Sequence, residues 1–211
     1  MRFQAVIFDC DGTLVDSERL AHEALVEGAE RLAVALTLEE AMARFKGGRM
    51  ADYVAYVEER LGASVPATFV PEIRAHMAQI FAERLIPIKG ALDLVHSLSV
   101  PFCVASSGPR AKIELSLSLT GLLPYFEGRI FSAYDVGCFK PDPGLFLHAA
   151  RALGADPRCC AVVEDSLPGM QAGLAAGMTV FALADDAERQ SLPQGVRAVS
   201  QLSELIALLA Q

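Results

Sequence analysis

The stretch from Phe3 to Thr13 reads FQAVIFDCDGT, and it decides the fold class of this chain. Residues 3–8 are apolar apart from Gln4, and the apolar run stops abruptly at an aspartate. A short run of this kind is typical of a strand that is buried on both faces of a parallel sheet. Asp9 and Asp11 then lie at the carboxyl end of the strand, where open α/β sheets bind their ligands.

Further apolar segments have the length and composition of strands, and helical patterns alternate with them. Asp142 and Pro143 are expected as the N-cap and the first helical residue of one of these helices, and Gly154 as its end. The alternation predicts an α/β fold with a Rossmann-like parallel sheet that helices cover on both faces. Strands are predicted at 101–105, 129–132, 160–163 and 179–182, and helices at 91–98, 110–119, 143–153, 167–176 and 202–209.

Residues 16–84 interrupt this alternation. They are rich in Ala, Glu, Leu and Arg, with apolar positions at helical spacing and breaks at 46–48 and 62–71. The pattern predicts three or four helices and no strand. We therefore expect an α/β catalytic core made of residues 1–15 and 85–211, with residues 16–84 inserted as a helical cap domain.

The composition argues against several kinds of partner. The 211 residues carry a formal net charge of −8 and contain no block of basic residues, which disfavours binding to nucleic acid or to an anionic membrane. The five cysteines follow no zinc spacing, and buried thiols fit a reducing cytoplasm. No stretch has the length of a membrane span, and the N-terminus does not resemble a signal peptide. We expect a cytoplasmic protein, with a monomer as the default.

Two acidic pairs follow predicted strands. Asp9 and Asp11 form the first pair, and Glu164 and Asp165 form the second. Carboxylates held so close together repel each other and need a cation or a raised pKa. Their oxygens are the ligands that Mg²⁺ prefers. An EF-hand loop that begins at Asp9 is excluded because leucines occupy its sixth and twelfth positions. For the second pair, the cap of the following helix is an alternative.

Two further motifs could bind phosphate. Ser106, Ser107 and Gly108 follow the strand at 101–105, and a hydroxyl with backbone N–H groups at a strand-to-helix turn forms a phosphate cradle. An ordinary helix N-cap is the alternative there. Lys140 precedes a proline, and a lysine fixed beside carboxylates can orient a nucleophile and balance phosphate charge. A solvated loop lysine is the alternative.

In their order along the chain, these motifs resemble those of the haloacid dehalogenase superfamily. DxDGT matches at residues 9–13, the hydroxyl motif at Ser106, the lysine motif at Lys140 and the acidic motif at residues 164–165. The insertion after the first strand resembles the helical cap of the β-phosphoglucomutase-like group. Several runs look most like sugar-phosphate phosphatases, 6-phosphogluconate phosphatases among them; they include FKGG, FSAYDVGCFKPDP and GMQAGLAAGMTVF.

The resemblance implies a magnesium-dependent phosphatase that acts on a small phosphorylated metabolite, either a sugar phosphate or a phosphorylated sugar acid. Asp9 would attack phosphorus and form a transient aspartyl-phosphate, and Asp11 would protonate the leaving oxygen and then accept a proton from water. Ser106 and Lys140 would hold the phosphoryl oxygens, and Mg²⁺ would offset their charge. The implied metal ligands are Asp9, the backbone carbonyl of Asp11, Asp165 and Glu164.

Other functions stay open at this point. Mutases of this group carry a histidine at the position that Ala21 occupies here, and the adjacent His22 is expected on the helix surface, facing elsewhere. A dehalogenase needs neither Asp11 nor a metal site, and a non-catalytic phosphate-binding protein is the alternative from another class. We expect the loop residues Lys46, Gly47 and Arg49 to contact the substrate; the alternative is a plain turn between helices.

Overall fold

The computed structural model describes residues 3–209 and confirms the predicted α/β class. Within these residues, six strands form one sheet in the order β3-β2-β1-β4-β5-β6, and all neighbours are parallel. Because β2 and β3 extend from one side of β1 and β4 to β6 from the other, the strand order reverses between β1 and β4. The strands are β1 (Ala5–Phe8), β2 (Phe102–Ser106), β3 (Ile130–Ser132), β4 (Cys160–Glu164), β5 (Thr179–Leu183) and β6 (Arg197–Val199).

The helices lie between these strands and after the last of them. None of the described helices has the length and apolarity that a membrane crossing requires. They are α1 (Glu18–Glu30), α2 (Leu38–Phe45), α3 (Met50–Leu61), α4 (Phe69–Arg84), α5 (Ala91–Ser97), α6 (Arg110–Leu119), α7 (Leu123–Phe126), α8 (Ala133–Val136), α9 (Gly144–Ala152), α10 (Leu167–Ala175) and α11 (Leu202–Leu209).

The chain forms two compact units. The sheet unit combines Met1–Val15 with Ile86–Gln211, and the helical unit comprises Asp16–Leu85. The helical unit consists of α1 to α4, and its residues, all of them described, contain no strand. Within it, the hydroxyl of Tyr53 donates to the backbone oxygen of Leu25 at 2.7 Å, which ties α3 to α1.

The core of the sheet unit follows from the alternation of side chains along β1. Ala5 and Ile7 lie in the cluster that α9 closes with Leu145 and Phe146. The opposite face carries Phe8, whose ring meets the rings of Phe102 and Phe126 edge to face, at centroid distances of 6.4 and 6.2 Å. Both faces of β1 are therefore covered, as its unbroken apolar sequence predicts.

Several boundaries differ from the prediction. The second break in the helical unit ends at Thr68, because Pro71 lies in the first turn of α4, where its missing N–H is not needed. An unpredicted break separates α1 from α2. Helix α9 begins one residue late, with Pro143 as its N-cap, although Asp142 Oδ1 still accepts from the Gly144 N–H at 2.7 Å. The edge strand β6 and the four-residue helices α7 and α8 were not predicted.

Candidate active site

The loop after β1 places the first acidic pair at the carboxyl edge of the sheet. The Asp9 N–H donates to the Val163 oxygen at 2.9 Å, which fixes Asp9 beside the end of β4. The chain then turns tightly, with the Gly12 N–H donating to the Val15 oxygen at 2.9 Å. Gly12 has a φ of 72°, a left-handed conformation that glycine adopts without steric cost. The carboxyl of Asp9 is thus buried at the point where the strand order reverses.

Lys140 joins the two acidic motifs. Its Nζ lies 2.5 Å from Asp9 Oδ1 and 2.6 Å from Glu164 Oε1. The residue is only 6% exposed, and its ammonium group lies 4.8 Å from the centroid of the Phe146 ring. Lys140 is therefore a buried, doubly paired cation and not a solvated loop lysine.

The charges in this cluster depend strongly on one another. Burial raises the pKa of Asp9 to about 7; Glu164 and Asp11 raise it as well, while Lys140 lowers it. Burial lowers the pKa of Lys140, but its two carboxylate partners outweigh that effect, and the net shift is upward. Lys140 thus stays protonated, whereas the ionisation of Asp9 responds to any further cation nearby.

Glu164 is wholly buried, and both of its oxygens are engaged. Oε1 accepts from Lys140, and Oε2 accepts from the backbone N–H groups of Asp165 and Ser166 at 3.0 and 2.9 Å. The Ser166 hydroxyl donates to the same oxygen at 2.9 Å, and Ser166 is also the N-cap of α10. In this acidic motif the helix cap is therefore Ser166, while Glu164 holds Lys140 and the loop.

The predicted metal ligands include a compact group of carboxylates. One oxygen from each of Asp9, Glu164 and Asp165 can be chosen so that all three lie within 4.8 Å of one another. The Thr13 hydroxyl orients Asp165 by donating to its Oδ1 at 3.2 Å. All three acids are buried and offer hard oxygen donors. This donor set fits a divalent cation that prefers oxygen, so the cluster could hold one.

Gly12 lies against Asp165, so a substitution at Gly12 tests the role of this carboxylate cluster. A Cβ at Gly12 would lie 2.3 Å from Asp165 Oδ2 and would require the left-handed φ of 72°. We expect Gly12→Ala to lose about 1–2 kcal/mol of unfolding free energy from the backbone alone. Displacement of Asp165 should also reduce kcat/KM about 10- to 100-fold. Chemical denaturation and steady-state kinetics measure the two effects.

Gly121 supplies the matched control for that substitution. It has a φ of 73°, and an added Cβ would meet nothing within 4 Å. Gly121→Ala should therefore show a similar backbone cost but normal turnover. If Gly12→Ala and Gly121→Ala had equal activity, the placement of Asp165 in the active site would be wrong.

The predicted phosphate cradle lies at the end of β2. Ser106 is the last residue of the strand, and its Oγ accepts from the Gly108 N–H at 3.1 Å. The Oγ of Ser107 is buried and has no hydrogen-bond partner within residues 3–209. The N-cap of α6 is Pro109, so the alternative role of Ser106 as a helix cap is wrong. Among the described residues, the buried Ser107 hydroxyl therefore has no acceptor for its proton.

Lys112 is a member of the site that the sequence analysis missed. It lies in the first turn of α6, and its Nζ is 2.8 Å from Asp11 Oδ1. A Cβ at Gly108 would lie 3.7 Å from Lys112 Cδ and 3.8 Å from Asp11 Oδ2. The cradle, Asp11 and Lys112 therefore converge. The contact joins residues about a hundred positions apart, and no local spacing signals it.

The remaining predicted residues belong to the helical unit. Lys46 and Gly47 follow α2, and Arg49 is the N-cap of α3, with its guanidinium 3.0 Å from Asp52 Oδ1. Their contact with a substrate stays a prediction.

His22 is buried, at 4% exposure, so its expected place on the helix surface is wrong. Its Nδ1 lies 2.6 Å from the backbone oxygen of Glu18.

Comparison with known proteins gives a consistent family assignment. Residues 3–177 match the haloacid dehalogenase-like hydrolases. The chain is 37% identical, over 97% of its length and 93% of the relative's, to a 6-phosphogluconate phosphatase of Escherichia coli (strain K12). It is 31% identical, over 96% of each chain, to a validoxylamine A 7'-phosphate phosphatase of Streptomyces hygroscopicus subsp. limoneus.

A solved structure agrees with these sequence relatives. A haloacid dehalogenase family hydrolase from Deinococcus radiodurans R1, determined with bound phosphate and sodium, superposes with a TM-score of 0.77 and 32% identity. The match covers 99% of this chain and 95% of that one. The resemblance stated from the motifs is therefore confirmed: the chain belongs to the haloacid dehalogenase-like hydrolases, and within them it is a phosphatase.

Proposed function

We propose that this phosphatase is magnesium-dependent and hydrolyses a sugar phosphate or a phosphorylated sugar acid through an aspartyl-phosphate on Asp9. The observation that carries the proposal is the buried Asp9 carboxyl at the switch point of the sheet, held by Lys140 beside an acidic cluster. A nucleophilic carboxylate needs fixed orientation and a nearby cation to meet an anionic phosphate.

The charge balance of the site supports a metal ion. Within residues 3–209, the ammonium groups of Lys140 and Lys112 pair with Asp9, Glu164 and Asp11, and Asp165 adds a fourth carboxylate to the site. A divalent cation would offset negative charge in this cluster of carboxylates and favour the ionised form of Asp9. Bound Mg²⁺ would supply charge neutralisation for the transferring phosphoryl group. The proposed ligands are Asp9, the backbone carbonyl of Asp11, Asp165 and Glu164.

The chain's own residues carry the two chemical steps. Asp9 attacks phosphorus in line while Asp11 donates a proton to the departing oxygen. Ser106 and Ser107 donate hydrogen bonds to the phosphoryl oxygens, the Gly108 N–H holds Ser106 Oγ within the cradle, and Lys140 balances the phosphoryl charge. Asp11 then takes a proton from the water that attacks the aspartyl-phosphate, and release of phosphate restores Asp9.

The substrate assignment depends on relatives and on the helical unit. The E. coli relative named as a 6-phosphogluconate phosphatase supports a phosphorylated sugar acid. We further propose that the helical unit acts as the cap and that Lys46, Gly47 and Arg49 contact the end of the substrate remote from phosphate. A cytoplasmic monomer is part of the proposal, and the free state of all five cysteines supports a reducing compartment.

A phosphate-release screen tests the proposal. The panel comprises phosphorylated sugars, sugar acids and nucleotides, each with Mg²⁺ and with EDTA. We expect turnover on a sugar phosphate or sugar-acid phosphate, and its loss in EDTA with recovery when excess Mg²⁺ is restored. Turnover that ignores EDTA would refute the metal assignment. Isomerisation of a sugar phosphate without release of phosphate would identify a mutase instead.

A further inference from the structure

The position of Lys112 in its own helix is electrostatically unfavourable. It is the third residue of α6, and the first turn of that helix contains no acidic residue. The partial positive charge of a helix N-terminus favours acids there and disfavours lysine. The neighbouring Arg110 has partners elsewhere, with its Nε 2.7 Å from Asp135 Oδ2 and its Nη2 2.9 Å from the Ile130 oxygen.

The contact of Lys112 outside its helix offsets this cost. Its Nζ lies 2.8 Å from Asp11 Oδ1, and the two side chains retain only 24% and 19% of their exposure. The aliphatic part of Lys112 lies beside Gly108, as the 3.7 Å distance from an added Gly108 Cβ to Lys112 Cδ shows. Lys112 therefore reaches along the phosphate cradle to one oxygen of the Asp11 carboxyl.

We propose that Lys112 is a positioning residue that holds the Asp11 carboxyl toward the departing oxygen of the substrate. The inference rests on the proposed function, in which Asp11 is the general acid and base. Asp11 projects from a loop, and Lys140, the buried cation of the site, is paired with Asp9 and Glu164. Lys112 supplies an ionic contact that restricts Asp11, so proton transfer begins from an aligned carboxyl.

Substrates with different leaving groups separate this role from phosphate binding. An alkyl phosphate expels an alkoxide and needs the proton that Asp11 gives. p-Nitrophenyl phosphate expels a stabilised phenolate and hardly needs it. The two probes are p-nitrophenyl phosphate and the best alkyl phosphate of the panel described above. Asp11→Ala measures the full effect of losing the acid.

We expect Lys112→Met to lower kcat/KM for the alkyl phosphate about 10- to 100-fold. The kcat/KM for p-nitrophenyl phosphate should stay nearly unchanged. Lys112→Arg should recover most of the loss, because its guanidinium can still pair with Asp11. In the Asp11→Ala background, Lys112→Met should have little further effect, since the two residues act as one unit. Arg110→Met removes a positive charge from the same helical turn, and Arg110 does not contact Asp11. In this variant the leaving-group ratio, which is kcat/KM for the alkyl phosphate divided by kcat/KM for p-nitrophenyl phosphate, should equal that of the wild type.

Three results would overturn the inference. If Lys112→Met lowered kcat/KM equally for both substrates through a higher KM, Lys112 would be a phosphate ligand. A full additional loss in the Asp11→Ala background would show that Lys112 does not act through Asp11. If Asp11→Ala left the leaving-group ratio unchanged, Asp11 would not be the general acid. The inference, which depends on that role, would then be wrong. Wild-type phosphate release in the same assays tests the proposed function separately.

Discussion

Asp9→Asn is expected to lower kcat by at least about 10⁴-fold, because an amide cannot replace the carboxylate as the attacking nucleophile. The fold should survive the change. Asn is nearly the same size, and Lys140 keeps its second partner, Glu164, at 2.6 Å. Phosphate release and circular dichroism measure the two expectations. Asp93→Asn, which neutralises an exposed acid on α5, is the matched control and should leave turnover unchanged.

The same variant should change how stability depends on pH. The pKa of Asp9 rises from 3.8 to about 7 on folding without metal, with burial as the largest cause. The stability that proton uptake contributes is fully present below pH 3.8 and is lost as pH rises through 7. Without metal, Asp9→Asn should therefore lose less stability than the wild type over this range. Urea unfolding in EDTA at several pH values measures the difference.

Two outcomes would contradict this account of Asp9. Persistent phosphate release by Asp9→Asn would refute an aspartyl-phosphate on this residue. Parallel pH–stability curves for the variant and the wild type would show that Asp9 does not take up a proton on folding. The two readouts are independent, because the first needs Mg²⁺ and substrate and the second needs neither.

The main sheet could be predicted from local sequence because burial of a strand on both faces demands an unbroken apolar run. In β1 this requirement leaves an uninterrupted signal from Ala5 to Phe8. The edge strand β6 escaped prediction because only Val199 of its three residues is buried, whereas the other three-residue edge strand, β3, buries two and was predicted. A short edge strand has one neighbour and a solvated side, so its sequence carries little pattern.

The candidate site was predictable where a residue follows a strand and less so where a contact spans the fold. Asp9, Ser106 and Glu164 lie at strand ends, and sheet topology alone brings such ends to one edge. The contact of Lys112 with Asp11 depends on how α6 leaves β2, which residue types do not reveal. Gly169 is similar: an added Cβ would lie 1.8 Å from Glu164 Oε1, a constraint visible only in three dimensions.

Lys140→Met is expected to reduce the free energy of unfolding by about 3–5 kcal/mol, because it leaves the buried carboxyl groups of Glu164 and Asp9 without their cation. Glu164 carries most of this cost. It is 0% exposed and loses the only cation that its carboxylate contacts among the described residues. Asp9 contributes less, since Lys140 lowers its pKa and removal of the lysine lets Asp9 protonate more readily. Turnover should fall as well, because the nucleophile loses its orienting partner.

A double-mutant cycle tests the cause of that loss. Glu164→Gln alone should destabilise the protein, since an amide cannot accept all the hydrogen bonds that end on the two carboxylate oxygens. In the Lys140→Met background, the same change removes the unpaired charge and should restore part of the lost stability. Lys89→Met, at an exposed lysine outside the site, should change neither stability nor turnover. Strictly additive losses would show that Lys140 and Glu164 do not stabilise each other, and Lys140 would then act on Asp9 alone.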